Sequence, residues 1–209
     1  MKRNQKIVII DYGVGNIHSV SNAINFLGYK NLIISSDKNQ ISQADVFILP
    51  GVGAFEEAIN NLRNKNLEEI LNEEVVVKKK PILGICVGMQ MLATFSEENG
   101  LHRGLNWISG KVKKINLPDK FPIPHVGWND VIIEQNSPLF NFNNNLNHFY
   151  FDHSYHFECD NKFISSYCNY GVKIAASVQF ENIFGVQFHP EKSQNNGLKL
   201  FRSFFNSIK

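Results

Sequence analysis

Apolar and polar residues alternate in blocks through the first third of the chain. Ile7-Val8-Ile9-Ile10 is an unbroken apolar run after Lys6, the pattern of a strand buried on both faces. Asp11-Tyr12-Gly13-Val14-Gly15-Asn16 interrupts it as a loop. Ile17, Val20, Ala23, Ile24 and Leu27 then fall at helical spacing, with Asn16 as the predicted N-cap and Gly28 as the stop. Leu32–Ile34 predicts a second strand, and Ala44–Leu49 a third that Pro50-Gly51 halts. Helical spacing returns from Phe55 to about Val77. Pro81–Cys86 is a fourth strand, followed at once by a helix around Met89, Met91 and Leu92. Such alternation predicts a parallel sheet with helices on both faces.

The second half reads differently. Strand-like runs lie near 107–115, 129–133, 148–152, 163–168, 174–180 and 183–188, with few helical patterns between them. They predict antiparallel strands that extend the sheet, closed by one helix from Asn195 to about Ile208. The Asn-rich stretch Asn141–Asn147 reads as a loop. No repeat or linker divides the chain, so its 209 residues predict one domain, 1–209.

Composition removes several function classes. Hydrophobic residues make up 43% of the chain and charged residues 19%, enough for a sizeable core. A net charge of +2 calls for neither nucleic acid nor an anionic membrane, and Lys78-Lys79-Lys80 reads as a solvated helix end. The apolar run at Ile7–Ile10 is too short for a secretory core of about 7–15 residues or a span of about 20. The cysteines, Cys86, Cys159 and Cys168, are odd in number and form no CxxC pair. That predicts a reducing, cytoplasmic setting without a disulfide framework.

Chemistry concentrates at Cys86. Gly84-Ile85-Cys86-Val87-Gly88 ends a buried strand and opens a helix, in the G-x-nucleophile-x-G form of a nucleophile elbow. The turn crowds the backbone, and glycines two positions away relieve the clash. It also sets the sulfur at a helix N-terminus, which favours thiolate, and leaves the Val87 N–H available to an oxyanion. The plainer alternative is a structural cysteine at a strand end. A thiol nucleophile needs a base and an orienting group. Gly185-Val186-Gln187-Phe188-His189-Pro190-Glu191 supplies both, because residues i and i+2 of an extended segment share a side. His148, His153 and His156 with Asp152 form a rival metal constellation. On one strand, however, His153 and His156 would face opposite ways. Pro50-Gly51-Val52-Gly53 follows a parallel strand on the same sheet edge as Cys86, where its glycines let backbone amides approach a ligand or reorient. It lacks the Gly-Lys-Ser/Thr of a phosphate loop, and Gly13-Val14-Gly15 lacks the third glycine of a dinucleotide fingerprint.

The order PGVGAF, GICVGMQ, HVGWN, HSY, GVQFHPEKS resembles the class I glutamine amidotransferases. Asp11-Tyr12-Gly13-x-Gly15-Asn16 and Pro124-His125-Val126-Gly127-Trp128-Asn129 make it similar to the glutaminase subunits of imidazole glycerol phosphate synthases, over Lys6 to Phe205. The resemblance implies a flavodoxin-like three-layer α/β/α fold and a Cys86, His189, Glu191 triad. It implies Val52, Gly53 and Val87 around an oxyanion hole, and Gln90, Glu98, Ser154 and Tyr155 at a bound glutamine. It implies no metal or other cofactor. It also implies a (β/α)8-barrel synthase partner, faced by Asn16, Trp128, Tyr150 and Lys192, which receives the ammonia for histidine biosynthesis. Asp152 departs from the family pattern, in which an apolar residue precedes His-Ser-Tyr. Similar subunits supply ammonia for acetamidino sugars, which keeps a second acceptor open. A free-standing cysteine amidohydrolase and a catalytically silent binding subunit are the remaining alternatives.

Overall fold

Runs of β-branched and aliphatic residues make the centre of this chain, and they do so by stacking side by side. The computed structural model describes residues 5–117, 121–134, 137–141 and 147–208. Its first half contains β1 (Ile7–Ile10), α1 (Ile17–Phe26), β2 (Leu32–Ser35), α2 (Lys38–Ser42), β3 (Val46–Gly51), α3 (Phe55–Asn64), α4 (Glu68–Leu71), β4 (Ile82–Cys86) and α5 (Val87–Gln90). Short strands β5 (Phe95–Ser96) and β6 (His102–Arg103) follow, then β7 (Gly110–Lys114), β8 (His125–Asp130) and β9 (Ile132–Ile133). The chain ends with β10 (His148–His153), β11 (Tyr155–Cys159), β12 (Ile164–Tyr170), β13 (Val172–Phe180), β14 (Ile183–Val186) and α6 (Gln194–Ser207).

The main sheet runs β2-β1-β3-β4-β14-β13-β12-β9. It is parallel from β2 to β14 and antiparallel beyond. Every residue of β1, β3, β4 and β14 is buried, so helices cover both faces of the sheet's middle. This is the α/β architecture, mostly parallel with antiparallel extension, that the alternation predicts.

Several local expectations need correction. Not all later strands extend the main sheet: β11-β7-β5-β6 form a four-stranded sheet and β8–β10 a separate ribbon. The helical run from Phe55 to Val77 is broken, since Asn66 adopts φ 55° between α3 and α4, and residues Asn72–Val77 widen into a π-helical turn. Asn16 precedes α1 but its side chain caps nothing there. Lys78 and Lys80 are not simply solvated, because both pair with the buried carboxylate of Glu74. The predicted loop at Asn141–Asn147 falls largely on residues 142–146, outside the described residues.

What positions the site is the register between β3 and β4. Gly51 lies opposite Cys86, so the glycine loop and the cysteine turn leave the sheet together at its carboxyl edge. Close backbone packing makes this possible. A Cβ on Gly88 would lie 1.9 Å from the Leu49 carbonyl oxygen, and one on Gly84 would lie 2.6 Å from the Gly88 oxygen. Gly88→Ala is therefore expected to lower stability by about 2 kcal/mol or more, because α5 must lift off β3. Gly28→Ala, with nothing within 4 Å but a φ of 87°, should cost only about 1 kcal/mol. Urea unfolding of the two variants checks the order; equal midpoints would contradict the packing account.

Candidate active site

The turn at the end of β4 places Cys86 at φ 54° and ψ −112°, a strained conformation for a residue with a Cβ. The strain aims the side chain into a cavity of about 710 Å³. The Asp152 carbonyl oxygen is 3.9 Å from Sγ, and the Gln187 amide Nε2 is 3.8 Å from it. Val87 opens α5 and lines the cavity, and an N–H at a helix start has no partner within its helix.

His189 approaches from the other side. The strand before it ends at Val186, and Pro190 opens a short 3-10 turn through Lys192. The contact between His189 and Glu191 is thus made across a tight turn and not by strand alternation, which corrects the expectation of an extended segment. Nδ1 of His189 lies 2.9 Å from Oε1 of Glu191, and both side chains are almost wholly buried. Burial pulls the imidazole pKa down, but hydrogen bonds and charge from Cys86 and Glu191 outweigh it and hold the group at about 10. The placement between Cys86 and Glu191 favours the protonated ring. The Glu191 carboxylate has a second partner from far away in sequence: Asn16 Nδ2 donates to Glu191 Oε1 at 3.2 Å. The side chain expected to cap α1 instead holds the carboxylate that faces His189.

Val52, Gly53 and Val87, expected around an oxyanion hole, and Gln90, Glu98, Ser154 and Tyr155, expected at glutamine, all line the same cavity as Cys86 and His189. Glu98 Oε2 accepts the Phe55 N–H at 2.8 Å, capping α3 where Ala54 has no side chain to offer. Gln90 Nε2 donates to the Tyr155 carbonyl at 3.0 Å and to Gln187 Oε1 at 3.1 Å. Asn16 and Lys192 line the cavity, whereas Trp128 and Tyr150 do not; Trp128 lines a separate pocket with His148 and Ser193. Lys192 Nζ stands 5.2 Å above the Tyr150 ring, and Tyr150 makes an edge contact with Trp128, which is 49% exposed.

The rival metal constellation is not assembled. His153 ends β10 while His156 lies on β11, in a different sheet, and His148 pairs with Asp130. The two histidines are therefore separated by a change of sheet, not by the two faces of one strand. Among the described residues, no group of three or more His, Cys, Asp or Glu is placed to hold a metal ion. No described helix is long and apolar enough to cross a membrane. Sequence reasoning missed Gln187. Its position two before His189 in a strand-like run was the available signal, since it put both residues on one side.

Residues 8–208 match the family described as glutamine amidotransferase class-I. The chain belongs to the class-I glutamine amidotransferases. Among curated relatives, the amidotransferase is 48% identical to imidazole glycerol phosphate synthase subunit HisH 2 of Vibrio vulnificus, over 98% of this chain and 95% of that protein. It is 46% identical to subunit HisH 1 of Campylobacter jejuni, over 95% of this chain and 98% of that one. The HisH subunit of Pelagibacter ubique is also 46% identical, over 96% and 99%. Among solved structures, PurLQS from Thermotoga maritima shares the fold, with a TM-score of 0.74 at 21% identity over 97% of this chain and 98% of that chain. The amidotransferase is a glutaminase by family.

The histidines predict a two-sided pH dependence of stability. Burial holds His153 down at about 3 and His125 at about 4, so the unfolded chain binds more protons as pH falls below about 6.5 and stability drops there. His189, raised to about 10, has the opposite sign: its contribution is complete below about 6.5 and is lost as pH rises toward 10. Urea unfolding from pH 5 to pH 10 should show both limbs, and His189→Asn should flatten the alkaline one. An alkaline limb unchanged in that variant would contradict the assignment.

Proposed function

We propose that this chain is the glutaminase subunit of an imidazole glycerol phosphate synthase, releasing ammonia through a cysteine thioester for a (β/α)8-barrel partner. The carrying observation is that Cys86, His189 and the backbone around Val52, Gly53 and Val87 meet in one cavity that Lys192 and Asn16 also line. The near-full-length similarity to HisH subunits supports the assignment of the acceptor.

The chemistry uses this chain's own groups. Sγ of Cys86 attacks the side-chain amide carbon of glutamine, and the carbonyl oxygen becomes an oxyanion held by backbone N–H groups from Val87 and the Val52–Gly53 segment. The imidazolium of His189 gives its Nε2 proton to the amide nitrogen. The C–N bond breaks, ammonia leaves, and a γ-glutamyl thioester remains on Cys86. Neutral His189 then takes a proton from water, whose oxygen attacks the thioester; the C–S bond breaks, glutamate leaves with its carboxyl proton lost to solvent, and Cys86 is again a thiolate beside the imidazolium. Glu191 keeps the Nδ1 proton in place throughout. Gln90, Glu98, Ser154 and Tyr155 grip the amino-acid end of glutamine. No metal or organic cofactor enters these steps, and a cytoplasmic location suits a free thiol and a biosynthetic partner.

The face formed by Trp128, Tyr150, Lys192 and Asn16 seals the cavity mouth against that partner. Ammonia is protonated quickly in water, so the acceptor enzyme must cover this edge. An exposed aromatic anchor and an oriented lysine suit such a contact. Asp152, exposed and lining the same cavity, offers a carboxylate to a partner cation. The glycine segment at 51–53 allows the oxyanion hole to form fully only when the partner is docked.

A second reading, a paralogous subunit that supplies ammonia for acetamidino sugars, is favoured by one observation. The Vibrio, Campylobacter and Pseudomonas relatives are named as numbered subunits, HisH 2, HisH 1 and HisH 2, a naming that fits paralogous copies. A free-standing amidohydrolase would leave the Trp128 face without a purpose.

Cys86→Ser should abolish glutamine-dependent synthesis of imidazole glycerol phosphate by the complex while ammonia-dependent synthesis continues. Loss of both activities, or loss of neither, would refute the assignment. Ammonia-dependent conversion of an acetamido sugar to its acetamidino form, instead of turnover of the imidazole precursor, would select the second reading. At the interface, Trp128→Ala should weaken association by about tenfold or more, as expected of a buried aromatic anchor. Lys192→Ala should reduce the stimulation of glutaminase by the synthase ligand more than it reduces association. Analytical ultracentrifugation and coupled assays separate the two effects, and native behaviour of both variants would refute the proposed face.

A further inference from the structure

Two buried histidines take no part in that chemistry, yet hydrogen bonds order both rings in a single direction. His125, at the start of β8, is 2% exposed and His153, at the end of β10, is 6% exposed; they face each other across the ribbon. Nδ1 of His153 lies 2.8 Å from the Tyr155 carbonyl oxygen. That oxygen only accepts, so Nδ1 carries the proton and Nε2 is a lone pair. His125 Nδ1 lies 3.0 Å from that Nε2 and must donate to it. His125 Nε2 is then left to accept from Asn129 Nδ2 at 3.2 Å. The Asn129 amide is itself fixed at both atoms: Nδ2 also donates to the Asn169 carbonyl at 3.1 Å, and Oδ1 accepts the Asp130 N–H at 2.8 Å. Each ring nitrogen is used once, and an added proton would set two donors face to face. Burial favours the neutral form of both rings in agreement with this, and at His153 it outweighs the opposing bond to the Tyr155 carbonyl.

The chain of bonds ends on the substrate side of the cavity. The Tyr155 carbonyl takes its second bond from Gln90 Nε2 at 3.0 Å, so both of its lone pairs are occupied. Ser154 and Tyr155 line the cavity, and the Ser154 carbonyl accepts the Ile115 N–H at 3.0 Å. The backbone of these two residues is thus held from three directions, one of which leads to His125. The His125 ring in turn is stacked between Tyr170 at 3.9 Å and Phe151 at 4.7 Å. Trp128 lies on the same strand as His125 and Asn129, on the ribbon's exposed face.

We infer that His125 is a positioning residue for glutamine: through His153 it holds the Ser154–Tyr155 backbone where the substrate binds. This rests on the glutaminase reading above. The competing role for His125 is that of a flat filler between two aromatic rings, and a crossed pair of variants separates the two. His125→Phe keeps the stack and removes the donor. His125→Asn removes most of the stack but sets its Nδ2 near the place of Nδ1. In the complex with the synthase subunit, His125→Phe should raise the KM for glutamine about tenfold, the effect of one lost hydrogen bond, with a smaller change in kcat. His125→Asn should recover most of that loss. A native KM in the Phe variant, or an Asn variant no better than Phe, would overturn the inference. Nitrogen-15 imidazole shifts of the native protein give a readout free of folding defects: at neutral pH both rings should be neutral and protonated on Nδ1. An Nε2-protonated tautomer at either ring would overturn it as well. A native complex without glutaminase turnover would sink the glutaminase reading and the inference with it, whereas correct tautomers with a native KM in the Phe variant would sink the inference alone.

Discussion

Cys86 holds a backbone conformation that ordinary residues avoid, at φ 54° and ψ −112°. Such strain costs on the order of 1–3 kcal/mol and persists only where surrounding structure over-determines it. Here it is over-determined by the β3–β4 register, which sets Gly51 opposite Cys86, and by the approach of Gly88 to the Leu49 carbonyl. The buried parallel strands supply the rigidity, and the glycines supply the space. The cavity, the helix start at Val87 and the meeting with His189 all follow from that turn.

Charge is the second constraint. His189 and Glu191 are nearly inaccessible to solvent, a costly place for an imidazolium and a carboxylate. Each is compensated by a specific neighbour: the sulfur and carboxylate for the ring, the ring and Asn16 for the carboxylate. His125 and His153 are buried a short distance away and solve the same problem by staying neutral, each satisfied by one donor and one acceptor. The fold therefore keeps a histidine whose surroundings favour its proton apart from two whose surroundings disfavour it. It does so by the partner each ring is given.

How much of this was legible depended on sequence distance. The elbow at Cys86 is a local pattern, an apolar run ended by glycines two residues to either side, and it emerged where expected. The pairing of His189 with Glu191 was also legible, although a 3-10 turn makes it where strand alternation was expected. The role of Asn16 was not, because its partner Glu191 is 175 residues away and a polar residue before a helix reads first as a cap. Between His148 and Cys159 the apolar pattern predicts a strand only near 148–152, so β11 was not anticipated. The fold assigns β10 and β11 to different sheets, and only that split brings His153 onto His125. The break after Asn64 likewise depends on Asn66 tolerating a positive φ, which spacing alone does not reveal.

The claim that the strained turn makes one cysteine the nucleophile is tested most directly by reaction of the complex with an electrophilic glutamine analogue, followed by proteolysis and mass mapping of the modified residue. Cys86 should carry the label, glutamine should protect it, and Cys159 and Cys168, whose thiols burial pushes up to about 12, should remain free. Label on Cys159 or Cys168 with Cys86 unmodified would contradict the account.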